Sequence, residues 1–405
     1  IYRESANISS GVSVERFQFV GVDLETIGDV AWIRDDFGFS AFEAKISILD
    51  VGGPAGIVLP EEGWWLTARI LPLIRQPSTF LVARLSDAND HFFSVPLGNL
   101  TPLASDQWRF SCPLPTEGEP PEWCRVGSSL QATSFGGSAG LLPVAPIRLH
   151  SIGVIDFENG LGPAAIDIDD IAVLNQTGTE LTIVETFDSV TNWRTMVPTR
   201  EALGDSLTPA SDPDGTLLEG IARLRWTTAG PSEYRGLAHG SELSVVPVIA
   251  STGFIEQFGG EDGKVLEIAV GGNPIKVSVR DTVEFFPTLA MNGEPFLIAD
   301  LDAIHESLNV VRSRGDRQPT EFWIATERGT ELLNSEEGIL NSVTPGDPAI
   351  PDIQRELSSI RARSGSKTVD RTVVLSDVAF DPLVSAGWRA LLGIAFFTVL
   401  VVSAV

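Results

Sequence analysis

The runs IRLHSIGVID at residues 147–156 and AAIDIDDIAVL at residues 164–174 decide the fold class of the central part of the chain. Both are short and rich in β-branched residues, and similar runs separated by Gly and Pro recur across residues 51–197 without a long helical pattern. The others are GWWLTARI (63–70), TFLVARLS (79–86), HFFSVPL (91–97), WRFSCPL (108–114) and LTIVETF (181–187). About seven such strands joined by turns predict a β-sandwich over residues 51–197.

The sandwich is flanked by segments of mixed character. Residues 1–50 contain a strand-like run followed by a short helical pattern. Residues 198–350 open with a stretch rich in Pro, Asp and Ser and then alternate strand-like runs with helical patterns, one of which has Leu301, Ile304 and Leu308 on one face. This alternation predicts an α+β domain built from split βαβ units, so the fold class is mainly β with an α+β part.

The C-terminal sequence DPLVSAGWRALLGIAFFTVLVVSAV (381–405) has no charged residue after Arg389. Such a run is typical of a membrane-spanning helix, which needs about 20 apolar residues. Trp388 and Arg389 are residue types expected at the membrane interface. We expect residues 382–405 to be a transmembrane helix truncated at the end of the sequence. Apolar side chains at helical spacing predict that residues 351–381 form a helical connector leading into it.

The acidic composition excludes one class of partner. Lys and Arg number 28 against 54 Asp and Glu, which gives a formal net charge of −26. Binding of nucleic acid requires clustered cations that neutralise phosphates, so we expect no nucleic-acid partner. Because loops on the cytoplasmic side of a membrane carry an excess of Lys and Arg, the composition favours a cell-membrane protein whose bulk is extracytoplasmic.

The two cysteines lie in one Pro- and Glu-rich stretch, SCPLPTEGEPPEWC at residues 111–124. In an oxidising compartment Cys112 and Cys124 could form a disulfide that closes this loop. The alternative is two separate thiols, since no zinc-binding spacing is present.

The sequence contains no Walker A, GxSxG, SxxK or HExxH pattern, so we expect a non-catalytic protein without a bound cofactor. One acidic run, IDIDDI, places Asp167, Asp169 and Asp170 near the end of a predicted strand, where carboxylate oxygens could bind Ca²⁺. The alternative is that Asp167 and Asp169 form the solvent face of that strand, opposite Ile166 and Ile168.

Aromatic residues concentrate in the predicted sandwich. Exposed aromatic rings could stack against sugars, whereas neighbouring pairs on a strand place one ring of each pair in the core. The aromatic residues open to these two interpretations are Trp64, Trp65, Phe92, Phe93, Trp108 and Trp123.

Four phrases resemble long ABC-transporter permeases of the FtsX-like/MacB-like class, and they occur in the order expected for that family. They are VGVDLETIGDVAWIRDDF (20–37), VPVIASTGFIEQFG (246–259), VRDTVEFFPTLAMNGEPFLIADLDAI (279–304) and DPLVSAGWRALLGIAFFTVLVVSAV (381–405). The sandwich resembles a carbohydrate-binding jelly roll, or galactose-binding-like domain, inserted into the extracytoplasmic part of such a permease.

The resemblance implies that residues 198–350 form a periplasmic core (porter-like) domain, with residues 1–50 as its trailing part. It implies a second permease subunit, a separate ABC ATPase subunit and the lipid bilayer as partners, with a glycan or a lipoprotein as client. The implied function is transport, in which ATP hydrolysis moves the membrane helices and the extracytoplasmic region passes that motion to the client. The family carries no catalytic residues in this region. The alternative function is that of a membrane-anchored cell-surface protein whose sandwich binds carbohydrate.

Overall fold

Strands dominate the computed structural model. It describes residues 1–321 apart from positions 11–12, 32–44, 53–55, 74–78, 100–122, 131–141, 179–180, 212–214, 216, 232, 241–244, 261–262, 287–288 and 290–294. In chain order the strands are β1 (Tyr2–Ser10), β2 (Ser13–Val22), β3 (Ile57–Val58), β4 (Trp65–Pro72), β5 (Thr79–Ser86), β6 (Phe92–Asn99), β7 (Cys124–Ser129), β8 (Arg148–Asp156), β9 (Ala164–Leu174), β10 (Leu181–Glu185), β11 (Trp193–Thr195), β12 (Ser206–Ser211), β13 (Leu217–Trp226), β14 (Arg235–His239), β15 (Val246–Ser251), β16 (Val265–Val270), β17 (Asn273–Val283) and β18 (Phe296–Asp300). The helices are α1 (Ile27–Val30), α2 (Thr252–Phe258) and α3 (Leu301–Val310), and short 3-10 helices lie at Ser47–Leu49 and Arg200–Gly204.

The two ends of the described chain meet in a closed barrel with the strand order β1-β16-β17-β15-β18-β2. β15 and β18 are the apolar runs VPVIAS and FLIAD, and all of their residues are buried. Each of these two strands has one parallel neighbour, β17 for β15 and β2 for β18. Continuous apolar strands of this kind are covered on both faces, here by the barrel interior and by a second cluster around Phe286 and Leu49.

The chain between β2 and β15 forms two sheets that face each other over a shared core. One sheet, termed the far sheet, has the order β12-β13-β9-β4-β7 with β10 paired to β9. The other, termed the barrel-facing sheet, has the order β11-β14-β8-β5-β6 with β3 paired to β8. Alternating residues of both sheets meet between them, for example Ile168 and Leu224 from the far sheet with Leu81 and Ile152 from the barrel-facing sheet.

The prediction of a mainly β fold is confirmed, but the predicted end of the sandwich at residue 197 is wrong. β12 pairs with β13, β13 pairs with β9, and β14 pairs with β8, so residues 206–239 complete both sheets. The sequence missed this because the Pro- and Asp-rich stretch after residue 197 resembles a linker but is a connection within the sandwich. β1 and β2, from the segment 1–50, lie in the same barrel as β15–β18.

Helix ends and turns follow local signals in the sequence. The Ser251 side chain accepts a hydrogen bond from Phe254 N at the start of α2, and Gly259, with φ of 70°, follows its end. The Asp300 side chain caps α3 in the same way, accepting from Asp302 N. A tight turn at residues 87–90 joins β5 to β6, with Asp90 in a left-handed conformation.

Several predictions fall on residues that the structure does not describe. These are the strand at 108–114, the connector at 351–381 and the transmembrane helix at 382–405 with Trp388 and Arg389. Within residues 1–321, and leaving aside the gaps, no helix is long and apolar enough to cross a membrane.

Candidate functional site

The joint between the sandwich and the barrel buries the outer face of the barrel-facing sheet. Side chains that point away from the sandwich core pack with Val310 at the end of α3 into an apolar cluster: Val82, Phe92, Ile155, Met196, Tyr234 and Ala238. As a result β5 and β8 are buried on both faces. An antiparallel sheet usually leaves one face to solvent, so this joint is a packed interface and not a flexible tether.

Arg84 on β5 lies fully buried at the centre of the joint. Its Nε donates to the carbonyl oxygen of Asn309 at 3.0 Å, and Nη1 donates to Ser94 Oγ at 3.0 Å. Nη2 donates to the carbonyl oxygen of Gly315, and the guanidinium lies 5.4 Å from the ring centre of Phe92. All three hydrogen-bond acceptors are neutral, and burial lowers the pKa of Arg84 from its usual 12.5 to about 10.

A second side chain of the sandwich binds the same end of α3. Ser151 Oγ on β8 donates to the carbonyl oxygen of Val310 at 2.9 Å. Tyr234 OH lies 3.4 Å from Ser151 Oγ and donates to the carbonyl oxygen of Val82 at 3.0 Å. Burial raises the pKa of Tyr234, which keeps this hydroxyl protonated. The carbonyl oxygens of Asn309 and Val310 at the end of α3 therefore each accept a hydrogen bond from a side chain of the sandwich.

Titratable side chains from both bodies also meet at the joint. Glu306 of α3 has Oε1 3.6 Å from Nδ1 of His150, whose Nε2 lies 2.8 Å from Ser86 Oγ. Burial lowers the pKa of His239, an effect that the charge of Glu185 and, to a smaller extent, that of Glu306 oppose. Burial also lowers the pKa of Arg194, again partly opposed by Glu306. The joint is thus polar as well as apolar.

Residues 311–321, termed the strap, leave α3 and touch both bodies. Phe92 N on β6 of the sandwich donates to Asp316 Oδ2 at 3.2 Å. On the barrel side, Arg317 Nη1 donates to Glu4 Oε2 at 3.0 Å, and Arg317 Nη2 donates to the carbonyl oxygen of Gly271 at 3.2 Å. At its end, Thr320 N donates to the carbonyl oxygen of Ile1 at 2.9 Å. The strap therefore links the sandwich and the barrel along the chain segment that precedes the predicted connector.

The three aspartates predicted to bind Ca²⁺ each pair with an arginine on the outer face of the far sheet. Asp167 accepts two hydrogen bonds from Arg223, at 2.6 and 2.7 Å. Asp169 pairs with Arg69, and Asp170 accepts from Arg125 at 2.6 Å. In the described part of the chain no group of three or more His, Cys, Asp or Glu side chains is arranged to hold a metal ion. The structure thus gives these carboxylates a role in ion pairs, and Ca²⁺ binding stays a prediction.

A β-bulge explains why Asp169 and Asp170 lie on the same face. Between β4 and β9, Ile70 pairs with Ile168 and Ala68 pairs with Ile171, so two residues of β9 oppose the single residue Arg69. The core-facing isoleucines reveal the bulge in the sequence, because the spacing from Ile166 to Ile168 is two and from Ile168 to Ile171 is three.

The other predicted side chains fall into different places. Cys124 is disulfide-bonded, and its predicted partner Cys112 lies outside the described residues, so the pairing itself stays a prediction. Phe93 packs in the sandwich core and Phe92 in the joint, so both rings of this pair are buried, on opposite faces of β6. The Trp123 ring lies 5.0 Å from the guanidinium of Arg69.

The joint was not predicted from the sequence. Leu81 and Leu85 point from β5 into the sandwich core, and Arg84 lies on the opposite face of the strand. In a sandwich that opposite face is expected to meet solvent. The one signal that could have indicated burial is the run TFLVARLS itself, because Phe80 and Val82 alternate with the core residues and make both faces apolar.

Comparisons with known proteins add no relative: no protein-family model, no curated protein and no solved structure matches this chain.

Proposed function

We propose that this chain is the extracytoplasmic region of an ABC-transporter permease of the FtsX-like/MacB-like class, and that it passes the motion of membrane helices to an extracytoplasmic client. In this proposal the barrel is the porter-like core, and the sandwich is a jelly-roll domain inserted into it. The ATPase is a separate subunit, a second permease subunit completes the transporter, and residues 382–405 enter the bilayer. The chain itself performs no chemistry.

The observation that carries the proposal is the double attachment of the strap. A segment that passes motion from the membrane must be joined firmly to the body that it moves. The strap meets this requirement, because Asp316 binds the sandwich at Phe92 while Arg317 binds the barrel at Glu4 and Gly271. It is also the last described segment before residues 351–381, which are predicted to lead into the membrane. A chain that only anchored a surface domain would function equally well with a flexible linker in this place.

We expect a flexible insertion between the strap and the membrane segment to abolish this coupling. The test inserts about ten Gly and Ser residues at Ser376 of the full-length protein, purified with its ATPase subunit. Hydrogen exchange of the strap is then compared with and without a non-hydrolysable ATP analogue. In the wild type the nucleotide should change exchange in residues 311–321, and in the insertion variant that change should vanish while ATP hydrolysis persists.

The control places the same insertion in the exposed turn at Thr177 and Gly178 of the sandwich. This variant should respond to nucleotide as the wild type does. If the insertion at Ser376 leaves the nucleotide-dependent change intact, or if the wild type shows none, the proposed coupling is wrong.

A cleft at one end of the sandwich favours a second candidate function, glycan binding. It measures about 400 Å³ and is lined by Glu61, Glu62, Gly63, Trp64, Asn175, Gln176 and Thr177. The backbone holds Trp64 firmly, because its N–H donates to the carbonyl oxygen of Leu174 at 2.8 Å and its carbonyl oxygen accepts from Leu130 N at 2.9 Å. An aromatic side chain on an anchored backbone, beside carboxylates and amides, suits the apolar face and the hydroxyl groups of a sugar.

Glycan-array binding of the whole chain tests this candidate. We expect Trp64→Ala to abolish binding of every glycan that the wild-type protein binds on the array. Trp65→Ala is the matched control, because Trp65 neighbours Trp64 in the chain but does not line the cleft. An array without any bound glycan, or equal loss in both variants, would contradict the candidate.

A further inference from the structure

The C-terminal end of α3 lacks a cation of its own. The last turn of this helix contains no basic residue. The final carbonyl groups of a helix have no partners within it, and they carry the negative end of the helix dipole. A cation or a hydroxyl group near that end is therefore stabilising.

The sandwich supplies both groups. The buried guanidinium of Arg84 binds the carbonyl oxygen of Asn309, and the Ser151 hydroxyl binds that of Val310. Arg84 also binds the carbonyl oxygen of Gly315, the fifth residue of the strap. The Asn309 side chain completes the arrangement, since its Oδ1 accepts from Arg317 N at 2.7 Å and its Nδ2 donates to the carbonyl oxygen of Arg317 at 3.2 Å.

We propose that Arg84 is a positioning residue that caps α3 from the sandwich, and so fixes the orientation of the sandwich on the barrel through the end of that helix and the strap. A guanidinium suits this role, because its donors point in several fixed directions and here reach α3, the strap and Ser94 of the neighbouring strand. The neutral acceptors mean that the contact depends on geometry and not on a paired carboxylate. How this orientation serves transport rests on the proposed function, whereas the capping contact does not.

The distance between the two bodies tests the inference. Spin labels are introduced through an unnatural amino acid at Val58 in the sandwich and Val265 in the barrel, both 50% exposed. The wild type should give one narrow distance distribution. Arg84→Met should broaden it or add a second distance, and Arg84→Lys should give an intermediate width because lysine keeps the cation but reaches fewer carbonyl groups.

Arg69→Met is the matched control. Arg69 lies in the same sandwich and pairs with Asp169 on the far sheet, away from the joint. The distance distribution of the Arg69→Met variant should stay as narrow as that of the wild type. An unchanged distribution in Arg84→Met, or equal broadening in Arg69→Met, overturns the inference.

If Arg84→Met does not fold, Arg84→Lys provides the second test through amide exchange. Lysine cannot reach the carbonyl oxygens of Asn309 and Gly315 at once, so exchange in the last turn of α3 should rise by roughly tenfold, while exchange in α2 stays unchanged. Equal exchange in the last turn of both proteins overturns the inference. Neither measurement involves nucleotide or the ATPase. The capping role of Arg84 would therefore stand if the proposed function failed, and the proposed function would stand if the capping role failed.

Discussion

Replacing Arg223 by methionine lowers the free energy of unfolding by about 3–5 kcal/mol. Arg223 holds the carboxylate of Asp167 through two hydrogen bonds, and the Asp167 side chain is only 1% exposed. Removal of the arginine leaves a buried carboxylate without its partner, which is far less favourable than losing an exposed ion pair. Urea denaturation of the whole chain measures the change.

Arg69→Met is the comparison, because it removes the partner of Asp169 two positions along the same strand. The Arg69 side chain is 45% exposed, so its loss should change the free energy of unfolding by about 1 kcal/mol or less. The double variant Arg223→Met/Asp167→Leu should recover much of the loss, since it removes the unpaired charge. Equal effects of the two single variants, or no recovery in the double variant, would contradict this account of the far sheet.

Replacing Asp300 by asparagine should stabilise the protein at neutral pH. Burial, with the nearby charge of Asp302, raises the pKa of Asp300 from 3.8 to about 6. The folded chain therefore holds this proton more tightly than the unfolded chain, and ionisation of Asp300 reduces stability as the pH rises from about 4 to about 6. Asparagine cannot ionise and is an equally good helix N-cap, so the variant should gain on the order of 2 kcal/mol above about pH 6.

The pH dependence of this gain is the decisive readout. Both proteins are denatured with urea at several pH values, and the difference between their free energies of unfolding is compared. The difference should be small below about pH 3, because Asp300 is then largely protonated in both states, and it should reach a plateau above about pH 6. A gain that is independent of pH, or a loss at neutral pH, would contradict the raised pKa.

The features that could be predicted from the sequence are those that neighbouring residues determine. The N-caps Ser251 and Asp300 lie directly before their helices, and the turn at residues 87–90 joins consecutive strands. Periodicity likewise identified β8 and β9 as strands of a sandwich. Each of these signals lies within a few residues of the element that it specifies.

The features that were missed depend on contacts between distant residues. β13 completes the far sheet by pairing with β9, from which it is separated by β10, β11 and β12. Arg84 is buried by Asn309 and Gly315, more than two hundred residues further along the chain. Phe80 and Val82 indicate an apolar face around Arg84, but they do not say what covers it, so its contact with α3 becomes visible only in the folded structure.

The account depends most directly on which side of the membrane the sandwich lies. An epitope inserted in the turn at Thr177 and Gly178 of the full-length protein can be probed with antibody on intact spheroplasts, before and after the membrane is permeabilised. We predict full labelling of intact spheroplasts, with the protein retained in the membrane fraction after an alkaline wash. Labelling that appears only after permeabilisation, or release of the protein into the soluble fraction, would contradict the account.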